Sequence, residues 1–147
     1  MITCFRDEYS FLSNFHLAPI IYGRQQRMWP TAEHLFQAWK CVNPDDARRI
    51  LTAPTPGAAK RLGRQISMRK NWMSIRLTVM ETIVRLKFQQ NASLTRLLLN
   101  TGDQQIIEGN SRGDRFWGAE WNGATWVGEN HLGKILMKVR EELHSTK

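Results

Sequence analysis

The spacing of hydrophobic and polar positions changes near residue 30, and this change predicts a short β region followed by helices. Short β-type runs lie at positions 2–5 and 20–22, and Gly23 stands where a turn into residues 25–29 would fall. A small antiparallel pair is therefore expected near the N-terminus. Beyond it, apolar residues recur mainly at helical spacing.

Capping residues mark where the predicted helices begin. Thr31 predicts the start of a helix over residues 32–42, and Thr55 followed by Pro56 predicts a helix through Arg64. Further helices are predicted at residues 44–51, 71–89, 93–100 and 130–143. The 71–89 helix carries an apolar stripe made of Trp72, Ile75, Val79, Ile83 and Leu86. Residues 101–129, rich in glycine and tryptophan, read as a long functional loop.

Length and composition narrow the class of protein. The 147 residues contain no repeat or long linker, which predicts a single domain over residues 1–147. The expected fold is mainly α, an orthogonal helical bundle with a small antiparallel β element near the N-terminus. No apolar run is long enough to cross a bilayer, and the first residues do not resemble a signal peptide. A cytoplasmic protein without a membrane partner is expected.

The charge balance points to anionic partners. The net charge is +8, and the basic residues are spread through the chain rather than gathered in a tail. This pattern favours a folded basic surface or pocket that binds phosphates, nucleotides, nucleic acid or an acidic surface. Charge alone does not choose among these partners.

The helix predicted from Thr31 brings an acid and an amine to one side. At about 100° per residue, Glu33, Gln37 and Lys40 lie opposite an apolar stripe, with about 10 Å between the Cα atoms of Glu33 and Lys40. A carboxylate and an amine that face one cavity provide a general acid/base and an imine-forming nucleophile. The alternative is an ordinary solvated helix face with Glu placed before Lys.

Two other segments contain candidate ligands. Asp114 could act as acid or base or hold a ribose hydroxyl, and Trp117 could stack on a heterocyclic base. Their alternative role is to anchor a loop to the core. A second candidate is a basic set placed early in one helix and just before the next, where phosphate could bind, with ordinary basic surface as the alternative. The residues early in the helix are Lys60, Arg61 and Arg64, and the segment before the next helix is Arg69-Lys70-Asn71-Trp72, which adds two cations and an aromatic ring.

Metal and triphosphate chemistry lack their usual motifs. His34 follows Glu33, but no second histidine lies one helical turn away, and the two cysteines match no metal spacing. The chain has no Walker loop and no nucleophile elbow. No metal and no cofactor are expected.

A series of motifs resembles the NADAR, or YbiA-like, family over nearly the whole chain. The motifs, in order, are Phe11–Phe15, Trp29–Lys40, Ala58–Arg64, Arg69–Trp72, Lys87–Asn91, Leu97–Leu99, Ile107–Glu108, Asp114–Gly118, Gly128–Asn130 and Leu132–Met137. Residues 119–127 are richer in tryptophan than the family pattern, which leaves the identity of the substrate open.

The resemblance implies a mainly helical enzyme that hydrolyses N-glycosidic bonds. Some members act on phosphoribosylated aminopyrimidine intermediates of riboflavin synthesis, and others remove ADP-ribose from guanine bases of nucleic acid. It implies that Glu33 is a catalytic carboxylate and that Lys40 forms a Schiff base with the opened ribose. Asp114, Trp117 and Asn130 map to active-site positions.

Ser13 and Asn14 are implied as sugar or phosphate contacts. The expected partner is a small phosphoribosyl or ADP-ribosyl substrate, with ADP-ribosylated nucleic acid as the alternative. A binding module without catalysis is the rival from a different class, and in it Glu33 and Lys40 would be dispensable.

Overall fold

The computed structural model describes residues 1–146, and most helices begin and end near the predicted positions. The α-helices of this part are α1 (Ala32–Trp39), α2 (Pro44–Leu51), α3 (Pro56–Gly63), α4 (Trp72–Gln89), α5 (Ala92–Asn100) and α6 (His131–Ser145). A 3-10 helix (Asp7–Leu12) precedes them. The antiparallel pairs are β1 (Ile20–Tyr22) with β2 (Arg27–Trp29), and β3 (Glu120–Trp121) with β4 (Trp126–Val127). The predicted mainly helical fold with a small β element near the N-terminus is confirmed.

The chain forms two compact units. The central unit is Asn14–Asn91, and the terminal unit combines Met1–Ser13 with the chain from Ala92 onward. The central unit contains the β1–β2 hairpin and α1 to α4, whereas the terminal unit contains the 3-10 helix, α5, the β3–β4 hairpin and α6. No helix within residues 1–146 is long and apolar enough to cross a membrane.

In the central unit, α1 packs against α2, α3 and α4. The two predicted threonine caps are present: Thr31 Oγ1 accepts the His34 N–H at 3.1 Å, and Thr55 Oγ1 accepts the Ala58 N–H at 3.0 Å. Such caps satisfy amide groups that a first helical turn cannot bond internally. They therefore fix where α1 and α3 begin.

The C-terminal end of α1 differs from the prediction. The helix ends at Trp39, because the chain beyond Lys40 turns to pair with a distant segment. Cys41 forms an antiparallel bridge with Met68, and the Val42 N–H donates to the Ser67 carbonyl at 3.4 Å. Val42 is consequently exposed and lies outside α1, although the predicted helix included it.

The stripe predicted on α4 is largely correct but incomplete. Trp72, Val79 and Ile83 are buried, whereas Ile75 and Leu86 are only half-buried. The same helix also buries Lys87, which is 0% exposed.

Two segments of the terminal unit differ from the prediction. The β-type run at positions 2–5 forms a single parallel bridge, between Ile2 and Ile106, rather than a hairpin strand. Residues 101–129 contain the β3–β4 hairpin, in which the rings of Trp121 and Trp126 lie 5.4 Å apart. Gly128, at φ 147°, is required here, since a Cβ atom would stand 2.5 Å from the Gly118 carbonyl oxygen.

Candidate active site

The polar side of α1 is buried rather than solvated. Glu33 is 7% exposed and Gln37 is 3% exposed, while Lys40 is half-buried. The cause is that α1 is surrounded by three other helices, so that its apolar stripe and its polar side both lie against protein. The alternative of an ordinary wet helix face is therefore wrong for Glu33 and Gln37.

Glu33 is held by two hydrogen bonds within the central unit. Its side-chain Oε1 accepts from Gln37 Nε2 at 2.7 Å, and its backbone N–H donates to the Asn14 carbonyl at 3.1 Å. Burial raises the pKa of the Glu33 carboxyl, because desolvation disfavours the charged form; the hydrogen bond from Gln37 and the charges of Lys60 and Lys40 oppose the shift. Glu33 is thus a carboxyl that can carry a proton.

Lys40 follows α1 directly and keeps helical backbone angles, φ −63° and ψ −28°. Burial lowers the pKa of its amine, and the positive charges of Arg64 and Lys60 act in the same direction, while Glu33 opposes them. Its Nζ lies 5.9 Å from the centre of the Phe36 ring. Glu33 and Lys40 each influence the pKa of the other, so their charges lie within electrostatic range.

Lys60 and Arg64 approach this pair from α3. Contrary to the expectation of a position early in a helix, Lys60 lies in the last turn of α3 and Arg64 follows as its C-cap. Cations there complement the negative end of the helix dipole, so no helix N-terminus contributes to anion binding at this point. Lys60 Nζ also lies 5.9 Å from the centre of the Phe15 ring.

Asn14 is buried beside Glu33. Its Nδ2 donates to the sulfur of Met80 at 3.3 Å, and its Oδ1 is buried without a hydrogen-bond partner among residues 1–146. Ser13, the preceding residue, belongs to the terminal unit, where its N–H donates to the Ser10 carbonyl at 3.0 Å.

Arg69 and Trp72 have contacts that stabilise the fold. Arg69 Nε donates to the Trp39 carbonyl at 2.8 Å, and the Arg69 N–H donates to the Lys40 carbonyl at 2.9 Å. Trp72 is 4% exposed, and its ring lies 5.1 Å from that of Phe36. Arg69 therefore orders the chain at Lys40, and Trp72 packs in the core beneath it.

Two reactive residue types near Glu33 and Lys40 have structural roles. His34 is 1% exposed, with Nδ1 2.8 Å from Thr31 Oγ1 and Nε2 3.0 Å from the Ala53 carbonyl oxygen. Because a carbonyl oxygen only accepts, Nε2 carries the proton and the Thr31 hydroxyl donates to Nδ1. Burial, with Asp46 nearby, raises the pKa of the Cys41 thiol to about 11, so it is a poor nucleophile.

In the terminal unit, Asp114 organises its own loop. Its Oδ1 accepts from the backbone N–H groups of Phe116 at 3.2 Å and Trp117 at 2.9 Å, and its Oδ2 lies 3.7 Å from Arg112 Nη2. Asn110 Nδ2 donates to the Asp114 carbonyl at 2.8 Å. The anchoring role is therefore present, and it holds the carboxylate in one orientation.

Asn130 and Trp117 lie in the same unit. Asn130 adopts a left-handed conformation, φ 51°, and both ends of its amide are hydrogen-bonded to the backbone. Its Oδ1 accepts the Glu108 N–H and its Nδ2 donates to the Ile106 carbonyl, each at 2.9 Å. Trp117 is half-buried, with its ring edge-on to Phe116 at 4.8 Å.

The predicted site residues thus fall into two sets. Within the central unit, Glu33 and Lys40 lie together with Lys60, Arg64 and Asn14; Asp114, Trp117 and Asn130 belong to the terminal unit. Among residues 1–146, no group of three or more His, Cys, Asp or Glu side chains is placed to hold a metal ion.

Gln37 is a contact that the sequence reading missed. The sequence analysis places Gln37 on the polar side of α1 but does not identify it as a partner of Glu33. The available signal was its spacing, since residues four apart on a helix are neighbours.

The chain is similar to proteins of known class. It is 40% identical over 140 residues to the N-glycosidase YbiA of Shigella boydii, covering 93% of this chain and 83% of that protein. It is 42% identical over 139 residues to a riboflavin biosynthesis protein of Vibrio vulnificus, covering 93% of this chain but 36% of that protein. The NMR structure of the E. coli protein YbiA matches with a TM-score of 0.82 at 36% identity, covering 99% of this chain and 86% of that one.

These similarities confirm the predicted enzyme class, a hydrolase of N-glycosyl compounds. The model of the NADAR domain family matches residues 4–144. The match extends over both compact units. The chain therefore belongs to the NADAR domain family.

Proposed function

We propose that the substrate is a phosphorylated ribosyl compound, a phosphoribosylaminopyrimidine intermediate of riboflavin biosynthesis, cleaved through a Schiff base on Lys40. The observation that supports this proposal most directly is the burial of Glu33 near the half-buried Lys40. The relatives named for riboflavin biosynthesis, from Vibrio vulnificus and Zea mays, support the substrate class.

In this proposal, charged side chains bind the phosphate of the substrate, and the amide group of Asn14 binds its ribose. Lys60 and Arg64 attract the phosphate, because cations and phosphate oxygens form charge-assisted hydrogen bonds. The buried, unpartnered Oδ1 of Asn14 accepts from a ribose hydroxyl. Arg69 and Trp72 of the central unit are proposed as further substrate contacts. For Ser13, Trp117 and Asn130 of the terminal unit, a contact with the substrate stays a prediction from the family resemblance.

The reaction begins with opening of the ribose. The bond between C1 and the ring oxygen breaks, the oxygen takes a proton from Glu33, and an imine joins C1 to the nitrogen of the base. Neutral Lys40 adds to C1, and the ionised Glu33 takes a proton from the ammonium so formed and passes it to the departing nitrogen. The bond from C1 to that nitrogen then breaks and leaves a Schiff base between C1 and Lys40. One water molecule hydrolyses it to ribose phosphate and free lysine.

The pKa shifts support these roles. A carboxyl that donates a proton benefits from the raised pKa of Glu33, and an amine that attacks C1 benefits from the lowered pKa of Lys40. Both shifts have burial as their main cause, so the enclosed position of the polar side of α1 underlies both.

Substitution of Lys40 tests the covalent route. Lys40→Ala should lower turnover by about 10³-fold or more while substrate still binds, because the nucleophile is lost but Lys60 and Arg64 remain. Borohydride added during turnover should reduce the Schiff base to a stable amine, which mass spectrometry would find on Lys40. Lys134→Ala, at an exposed position, is the control. Near-normal turnover of Lys40→Ala would refute the route.

Glu33→Gln tests the proton carrier separately. The amide keeps the shape of the side chain but cannot donate or accept a proton, so turnover should fall by about 10²-fold or more. Wild-type turnover in this variant would mean that the group transferring the proton lies elsewhere.

A second candidate is removal of ADP-ribose from guanine bases of nucleic acid. The net charge of +8 favours it, since a basic surface attracts a polyanion. Offering the purified protein both substrate classes and following release of ribose phosphate or ADP-ribose by mass spectrometry decides between them. Release of neither, with ligand binding that survives Glu33→Gln and Lys40→Ala, would indicate a binding module.

We also propose that the whole chain acts as one NADAR domain. Support comes from the family match over residues 4–144, which includes parts of both compact units.

A further inference from the structure

Gln37 is buried between Glu33 and α3. Its Nε2 donates to Glu33 Oε1 at 2.7 Å, one helical turn away, and its side chain is 3% exposed. Its other end, Oε1, has no hydrogen-bond partner among residues 1–146 although it is buried. The NH₂ group of the amide is therefore hydrogen-bonded to Glu33, and its carbonyl group is held by packing.

Gly63, at the end of α3, forms the surface against which Gln37 packs. A Cβ atom at position 63 would stand 1.9 Å from Gln37 Oε1 and 2.7 Å from its Cδ, closer than any real contact. Gly63 does not adopt the left-handed conformation that would itself demand glycine, and alanine is the better helix former. The reason for glycine here is space for the Gln37 amide.

We propose that Gln37 is a positioning residue, clamped by Gly63, that holds the Glu33 carboxyl in the orientation in which it transfers protons. This inference rests on the proposed role of Glu33. A carboxyl on three rotatable bonds has several orientations, and a short hydrogen bond to a buried partner selects one of them.

The hydrogen bond also sets how easily Glu33 ionises. The Gln37 N–H donates to the carboxylate and so favours its charged form, against the desolvation that raises the pKa of Glu33. Removal of the donor should therefore raise the pKa of Glu33 further. A role limited to packing would leave this pKa unchanged.

Two substitutions on different helices break the same contact. Gln37→Met keeps the length of the side chain and removes the donor. Gly63→Ala leaves Gln37 in place but displaces its amide. Gly57→Ala is the matched control in the same helix, because a Cβ atom there would have its nearest neighbour at 3.7 Å. Circular dichroism verifies that each variant is folded.

The first measurement needs no turnover. In protein labelled with ¹³C at the glutamate carboxyls, the resonance absent from Glu33→Gln is that of Glu33, and its shift against pH gives the pKa. We expect the pKa to rise in Gln37→Met and in Gly63→Ala, and to stay at the wild-type value in Gly57→Ala. In a Gln37→Ala background, Gly63→Ala should add nothing, because the clash partner is gone.

The second measurement is activity against pH. Both variants should lose about tenfold in kcat/KM, the loss expected for one hydrogen bond to a charged group. The limb of the profile that Glu33→Gln abolishes should move to higher pH. If Glu33→Gln is inactive but the pKa of Glu33 is unchanged in both variants, this inference fails and the proposed function stands. If Glu33→Gln is fully active, the proposed function fails, whatever the pKa values show.

Discussion

At the scale of single residues, Lys87 has the most unusual environment. It is 0% exposed, and burial lowers the pKa of its amine to about 7 from 10.5. In the unfolded chain the amine returns to water. Between pH 7 and pH 10.5 the Lys87 amine of the unfolded chain therefore binds a proton that the folded chain lacks, so the contribution of Lys87 to stability rises with pH in this window.

Lys87→Met should remove this pH dependence. From about pH 7 to pH 10, the free energy of unfolding of the wild type should increase by a few kcal/mol relative to that of the variant. Urea denaturation at several pH values measures this difference. His16 does not interfere, since burial and the Lys87 charge lower its pKa below 6.5. Lys134→Met, at an exposed position, should leave the slope unchanged, and an equal slope in Lys87→Met would contradict the assignment.

Residue-level prediction is most direct where helix geometry decides the outcome. The spacing of Glu33 and Gln37 places them on one side of α1, where Gln37 donates to Glu33, and the charges of Glu33 and Lys40 act on the pKa of each other. The burial of Lys87 did not follow, although it continues the inward row of Val79 and Ile83 at steps of four. A lysine is usually exposed, and only the packing around α4 overrides that tendency.

At the scale of elements, the Asp114 carboxylate has two possible roles, which are to order the loop around it and to take part in the chemistry. Asp114 Oδ1 accepts two backbone N–H groups, as a turn aspartate does, while the same carboxylate is predicted from the sequence to act as an acid or base. Asparagine retains an oxygen at this position but not the charge, and alanine retains neither. The two substitutions therefore separate loop order from chemistry.

Asp114→Asn should keep the stability of the wild type within about 1 kcal/mol, because the turn hydrogen bonds survive. Asp114→Ala should be destabilised by about 1–3 kcal/mol, because the two N–H groups lose their acceptor. If Asp114 carries protons, both variants lose turnover by about 10²-fold. Thermal unfolding and steady-state kinetics on the two proteins provide the comparison. Full activity in Asp114→Asn would limit Asp114 to its structural role.

Element boundaries were predictable where the cause is local. The starts of α1 and α3 follow from Thr31 and Thr55, whose side chains bond amides three residues ahead. The end of α1 was not predictable, because the bridge from Cys41 to Met68 that ends it joins segments far apart in sequence. For the same reason the run at positions 2–5 has as its partner Ile106 rather than a nearby strand.

At the scale of the whole molecule, the net charge of +8 makes the salt dependence of binding a test between the candidate substrates. Association with nucleic acid releases counterions from the phosphates, so affinity falls steeply as salt rises. If nucleic acid is the substrate carrier, the dissociation constant for a short DNA duplex should rise by at least about tenfold from 50 to 200 mM salt. Fluorescence anisotropy measures this constant. Binding that is absent at the lower salt concentration would favour the small-molecule substrate.

Global organisation was the part least accessible from the sequence. The absence of a linker predicts a single domain, and it does not predict the two compact units, in which Met1–Ser13 groups with the chain from Ala92 onward. That grouping arises from long-range contacts such as the one at Ile2, which no composition shift marks.

This division has a consequence for synthesis on the ribosome. Asn14–Asn91 is contiguous, so α2, α3 and α4, against which α1 packs, are translated before α5. By contrast, the Ile2 N–H donates to the Gln105 carbonyl and the Ile2 carbonyl accepts the Ile107 N–H, each at 2.8 Å. These bonds cannot form until residue 107 has been translated. At about 5–20 residues per second the delay lasts several seconds, long compared with folding of a small helical unit. During synthesis, Ile2 therefore lacks these two backbone partners until after the central unit has been translated.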